Sequence, residues 1–197
     1  VVASTFAIPA LWAPGSAEAA NYNVTDSATF ATAVASAGNG DTITIQNSFT
    51  MATQVNPISA NVTVIGGGNT INANSQFRPF FVNSGTVTIQ NVTIQNGLAK
   101  GGDGGIGLAA GGGGLGAGGA IFVNDGATVA ISNVTFTDNQ AQGGAGGIAN
   151  GAAGGTGGGG GLGGEGGHNT TGTSFSAGGG GGLYGAGGNS EAGHTGG

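Results

Sequence analysis

Phe81-Val82-Asn83-Ser84-Gly85-Thr86-Val87-Thr88-Ile89-Gln90-Asn91-Val92-Thr93-Ile94 returns further along the chain as Phe122-Val123-Asn124-Asp125-Gly126-Ala127-Thr128-Val129-Ala130-Ile131-Ser132-Asn133-Val134-Thr135-Phe136, with Ala127 as one inserted residue. The match continues through Ala99 and Ala141, Gly101-Gly102 and Gly143-Gly144, and Gly104-Gly105 and Gly146-Gly147. A weaker relative, Asn61-Val62-Thr63-Val64-Ile65-Gly66, precedes both. Apolar and polar residues alternate within each copy, which in a strand places Val87 and Ile89 on one face and Thr86 and Thr88 on the other. Repeats of this size stack as supersecondary units.

The lengths of the strands decide what stacks. Thr42 to Gln46, Val62 to Val64, Thr86 to Gln90, Val92 to Ile94, Thr128 to Ile131 and Val134 to Phe136 are short pieces bounded by Asn, Gly or Asp. Neither Asn96-Gly97 nor Asp125-Gly126 joins two long strands as a hairpin turn would. Three short strands per turn, bent at Asn and Gly, are expected to coil into an all-β, right-handed parallel β-helix, with Val, Ile and Phe inside and Thr and Gln outside. Asn91 and Asn133 then stack as an amide ladder, one rung being ~4.8 Å from the next.

Asp26 or Ser27 can cap a short helix on which Phe30 and Val34 share a face and which Gly38 ends. Such a helix would close the open end of the core, where an uncovered rung is a sheet edge that templates aggregation. Val1 to Pro14 is apolar, and Ala17-Glu18-Ala19 puts Ala at the two positions a signal peptidase reads, which predicts cleavage after Ala19 and export. The expected division is a partial signal peptide at 1–19, an N-terminal cap at 20–40, and a β-helix at 41–147 carrying a Gly-rich insertion at 97–119. A Gly-rich low-complexity segment, 148–197, would continue beyond the fragment.

Of 197 residues 49 are Gly, 8 of them up to residue 100 and 41 beyond it. Large apolar residues run the other way, with five in the last 61 residues. Gly runs offer few side chains to offset the backbone entropy lost on ordering. Three outcomes stay open for the tail: disorder, the start of a further rung, or polyglycine-type packing. The net charge of −6, with only Arg78 and Lys100 positive, argues against nucleic acid or an anionic membrane as partner. The absence of Cys excludes a disulfide framework and a thiolate metal site.

Gly118-Gly119-Ala120-Ile121 followed by Phe136-Thr137-Asp138-Asn139 is similar to the paired GGA[ILV] and FxxN repeats of polymorphic outer-membrane proteins. More broadly, residues 21–147 resemble the β-helical passenger domains of autotransporters. That resemblance implies export to a bacterial cell surface, display by a C-terminal outer-membrane barrel, and adhesion to host, neighbouring-cell or matrix molecules. The chain ends at Gly197 without the alternating ~10-residue strands of such a barrel, so a fragment is expected.

The sharpest enzymatic alternative is a β-helical polysaccharide lyase or hydrolase, which needs converging carboxylates or a base beside an acidic cluster. In the repeat alignment Asp125 faces Ser84, Asp138 faces Asn96 and Asp103 faces Ala145, so no two acids share a position. Gly101-Gly102-Asp103-Gly104-Gly105-Ile106 places its Asp too early for a calcium nonapeptide. Gly66-Gly67-Gly68 lacks the Lys and Ser or Thr of a phosphate loop. His168 and His194 lack partners at zinc-ligand spacing, and Lys100 and Arg78 are expected to be solvated. No catalytic, cofactor-binding or metal-binding residue is assigned, and no cofactor is expected. Of the sequons at Asn23, Asn61, Asn91, Asn133 and Asn169, three open a strand with Val-Thr, which favours a turn role for Asn. A structural Gly-rich cell-envelope protein is the third reading.

Overall fold

The computed structural model describes residues 18–149, 155–169 and 176–190. The expected signal peptide and His194 fall almost wholly outside the described residues. Asn21–Val24 (β1) is followed by the only helix among them, Ser27–Ser36 (α1), and then by strands β2 (Thr42–Ile45), β3 (Phe49–Thr50), β4 (Val62–Ile65) and β5 (Thr70–Asn72). Next come β6 (Phe80–Val82), β7 (Thr86–Gln95) and β8 (Leu98–Lys100), then β9 (Ile121–Val123), β10 (Thr128–Thr137) and β11 (Gln140–Gln142). Two short strands, β12 (Gly155–Thr156) and β13 (Ser176–Ala177), lie in the Gly-rich part.

Every pairing between these strands is parallel. One seven-stranded sheet runs β1-β2-β4-β7-β5-β3, with β10 added to β7. The repeat sets the last register: Val87 lies beside Val129, Ile89 beside Ile131 and Ile94 beside Phe136. Asn133 donates from Nδ2 to Asn91 Oδ1 at 2.8 Å. Both Asn residues sit in the left-handed region, at φ 52 and 54, where Asn is among the few side chains tolerated. Each therefore turns the strand without ending it, and the two short pieces expected on either side form one ten-residue strand. The earlier relative pairs differently from its sequence likeness. Val62 lies beside Val87, so Asn61 stands at the start of the first leg, where its Oδ1 accepts from Thr86 N at 2.8 Å. The corner falls instead at Gly66-Gly67-Gly68, whose Gly68 N donates to Asn91 O.

Inward positions of β2, β4, β5 and β7 supply Ile43, Ile45, Val64, Ile71, Val87, Ile89 and Ile94, which are nearly fully buried. Helix α1 covers the core beside β1. Its N-cap Asp26 and Thr29 form a capping box, and Phe30 packs against Phe49 at 5.3 Å and edge-on to Phe80 at 5.8 Å. Asp41 ties the helix exit to β1, accepting from Ala20 N at 2.7 Å and Gly38 N at 2.8 Å.

Strand pairing between the repeats does not stop at Gly97 but continues in a separate two-stranded sheet. Leu98–Lys100 stays in β8 and pairs with β11, and Asn139 holds the junction by accepting from Gly97 N at 2.7 Å and donating to Ile94 O at 2.8 Å. The Gly-rich stretches beyond it form layers, the third of the three outcomes left open. Backbone bonds recur every three residues: Gly101, Gly104 and Gly107 donate to Gln142, Ala145 and Ile148, while Gly102 and Gly105 donate to Gly161 and Gly158. Three residues make one turn of a polyproline II-type helix, so one edge of each turn meets one neighbour. Parallel bonds order 143–148, 101–107, 163–169 and 185–190 into one layer and 109–116, 155–161 and 177–182 into a second; antiparallel bonds join the two, among them Gly111 to Gly105, Gly158 to Gly167 and Gly167 to Gly179. A Cβ built on Gly105 would overlap the Gly167 carbonyl, and one on Gly102 the Gly164 carbonyl. Most residues that are not Gly point outward, Asn169 and Ser190 being buried, and Asp103, Ile106, Ala145, Ile148, Glu165 and His168 line a shallow depression of about 260 Å³.

Arg78 is 3% exposed, not solvated as expected. Its guanidinium lies 5.5 Å from the Phe81 ring and 5.4 Å from Phe122, two residues that the repeat makes equivalent. It donates to Ala117 O at 2.8 Å and Gly118 O at 3.0 Å, pinning the end of the Gly run to the strands.

Candidate functional site

Because the strands are parallel and in register, outward residues fall into columns. Asn21, Thr42, Thr63, Thr88 and Ala130 form one, and Asn23, Thr44, Ile65, Gln90 and Ser132 the next. Thr44 Oγ1 donates to Asn21 Oδ1 and Gln46 Nε2 to Asn23 Oδ1, both at 2.9 Å. On the second leg Thr50, Asn72, Gln95 and Thr137 align, beside Thr70, Thr93 and Thr135.

A groove of about 290 Å³ opens on this second leg, lined by Ser48, Phe49, Thr50, Thr70, Asn72 and Gln95. Part of its polar surface is already fixed. Ser48 Oγ accepts from Thr70 N at 2.9 Å, and Asn72 Oδ1 accepts from Asn74 N at 2.9 Å and Asn96 Nδ2 at 3.1 Å. Thr50, Thr70 and Gln95 line the groove beside the half-buried Phe49. Hydroxyls and primary amides both donate and accept without charge, so the groove suits an uncharged, hydroxyl-rich ligand with one apolar face.

The charged residues are placed otherwise. Lys100 pairs with Asp103 at 3.0 Å on the surface. Asp103 also accepts from Ala145 N, the residue the alignment sets opposite it, and this bond together with Lys100 holds its carboxyl below the usual range. Asp138, at φ 52, takes the left-handed corner that Asn96 takes at φ 54, whereas Asp125 lies in the turn before β10. His168 Nδ1 accepts from Ile106 N at 3.0 Å. Among the described residues no group of three His, Asp or Glu is arranged to hold a metal ion.

A family model described as a pectate lyase-like adhesive domain matches residues 21–142. The chain belongs to this family. The match begins at the first residue of β1 and ends at the last of β11, so it covers every strand of the side-chain core and excludes the Gly-rich layers after Gln142. In comparisons with curated proteins and with solved structures, nothing matches. The family description fits an all-β adhesive domain that binds surface molecules; its lyase likeness leaves catalysis open.

The sequence reading anticipated outward Thr, Gln and Asn faces, but it missed the groove. Thr50, Thr70 and Asn72 lie on strands of two and three residues, and Ser48 immediately precedes the first of them. The available signal was Thr70-Ile71-Asn72, whose alternation matches Thr93-Ile94-Gln95.

Proposed function

We propose that this chain is a non-catalytic adhesive module, built as a right-handed parallel β-helix and displayed outside a bacterial cell in the manner of an autotransporter passenger. The observation that carries this reading is the family match across residues 21–142, which covers the strands bearing the hydroxyl and amide columns. The groove at Ser48, Phe49, Thr50, Thr70, Asn72 and Gln95 is its contact site for host, neighbouring-cell or matrix molecules, neutral glycans first. The use of the two cations supports the non-catalytic choice. Arg78 is committed to two carbonyls and two rings, and Lys100 to Asp103, whereas abstraction of a proton from a sugar ring needs a free base.

Two measurements test the reading. Neutral oligosaccharides immobilised on a chip should retain the protein, and Thr50→Ala combined with Gln95→Ala should weaken retention about tenfold, the loss of roughly 1.4 kcal/mol of hydrogen bonding. Turnover of an acidic polysaccharide that disappears in Asp125→Asn would overturn it in favour of the lyase or hydrolase.

A further inference from the structure

The repeat at β7 and the repeat at β10 share register but not cover. Val87, Ile89 and Ile94 are 0% exposed, whereas Ile131 is 54% and Phe136 44% exposed, and Val123 of β9 is 44% exposed against 0% for Val82 of β6. An apolar end face is therefore open, and β10 is its unpaired edge. The chain that follows does not cover it among the described residues. After 143–148 the Gly-rich runs stack on 101–107 and 109–116, on the side away from this edge.

Edges of this kind are normally blunted by Lys, Pro or an inward charge. Strands β9, β10 and β11 carry none of these, although the chain as a whole has a net charge of −6. The charges nearest this open apolar end, Asp125 and Asp138, are exposed at the turns on either side of β10 and not on the strands, so along the strands themselves a second copy meets little repulsion from its own kind. The hydrogen-bonding pattern of β10 selects how that copy docks. Thr128 N donates to Gly85 O of the preceding repeat, and N–H groups alternate sides along a strand, so those of Val129 and Ile131 point outward from the sheet. An antiparallel copy related by a two-fold axis at Ala130 sets Val129 opposite Ile131 and Ile131 opposite Val129. Both residues then exchange their free N–H and C=O groups, and all four side chains stay on the core side.

We propose that two copies of this chain associate end to end through β10, pairing its edge about Ala130 and covering Val123, Val129, Ile131, Val134 and Phe136. This inference rests on the strand register and stands whether or not the groove binds a glycan. The experiment is sedimentation velocity of the full chain, followed to about 100 µM, between the affinities of weak and standard-size interfaces. Wild-type protein should sediment as a monomer–dimer equilibrium. Ile131→Lys and Phe136→Lys, at positions already exposed in the single chain, should keep the far-ultraviolet circular dichroism of the wild type and raise the dissociation constant at least about tenfold, because each would bury an unpaired charge. Thr88→Lys, on an outward column, should leave the dimer unchanged. A wild type that stays monomeric, a ladder of oligomers growing with concentration as a head-to-tail contact would give, or a dimer insensitive to both Lys variants would each overturn the proposal.

Discussion

Residues 21–100 and the Gly-rich layers exclude water in opposite ways. In the first, parallel strands bring side chains together, and burial of groups such as Phe30, Ile89 and Phe80 supplies about 25 cal/mol for each Å² of apolar surface. In the second, backbone meets backbone at positions such as Gly102 and Gly105, with no side chain between. Cohesion there comes from hydrogen bonds with a net worth of about 1 kcal/mol each, set against the large backbone entropy that Gly loses on ordering. A core of side chains tolerates polar change on its outside and little within. A core of backbone tolerates any residue at its outward positions and only Gly at its inward ones.

The largest effect should come from the side-chain core. Ile89→Asp places an unpaired carboxylate among fully buried residues and should cost at least about 4 kcal/mol, enough to unfold the chain in a thermal melt. The equivalent Ile131→Asp should cost under about 1 kcal/mol at concentrations where the chain is monomeric, because half of that side chain already meets water. Equal damage at both positions would show that the last repeat is covered. Phe30→Ala should follow, with a loss of about 3–5 kcal/mol read by denaturant unfolding, since it removes the ring that joins α1 to Phe49 and Phe80.

Next comes a pair inside the Gly layers. Gly105→Val should abolish amide-exchange protection at Gly111, Gly158 and Gly167 while leaving that of Ile43 and Ile89 intact, whereas Gly112→Val, where a Cβ meets nothing within 4 Å, should leave both sets protected. Loss of protection in both halves from Gly105→Val would mean that the two folding units are one.

The smallest effects are electrostatic and local. Hydrogen bonds from Gly38 and Ala20 lower the Asp41 pKa from its ordinary 3.8. A lowered folded value means that the contribution is present above 3.8 and is lost as the pH falls through the depressed value. Asp41→Asn should therefore flatten part of the acid limb of a stability–pH curve without moving its neutral plateau upward. Asn133→Ala, which breaks one exposed amide rung and replaces a residue suited to positive φ, should cost about 1 kcal/mol in the same denaturant assay.

Much of the strand register was legible because alternation and repetition constrain each other: once Phe81 and Phe122 are aligned, a one-residue slip would turn Ile89 outward. The α1 cap at Asp26 was legible for the same local reason. What escaped depends on neighbours distant in sequence. Ile131 carries the same pattern as Ile89, and only the layer above it decides whether it is buried. Arg78 reads as a surface charge until the repeat sets Phe81 over Phe122 and makes a slot for a planar cation. The Gly layers stood only as one of three open outcomes because counting side chains finds nothing to bury there. Their signal was a period of three, Gly-Gly-Asp-Gly-Gly-Ile at 101–106 and Gly-Gly-Glu-Gly-Gly-His at 163–168, which neither the helical nor the strand period detects.

That three-residue step bears on how such a chain can change its length. Removal or duplication of three consecutive codons within 155–161 would shift that Gly run by a single helical turn, bringing Gly again to every inward position and renewing each backbone bond with the next partner along. Only the outward side chains would trade places. Slippage during copying of glycine codons, ruinous in a strand that alternates in and out, would here redraw the surface pattern of the layer and leave its interior as it was.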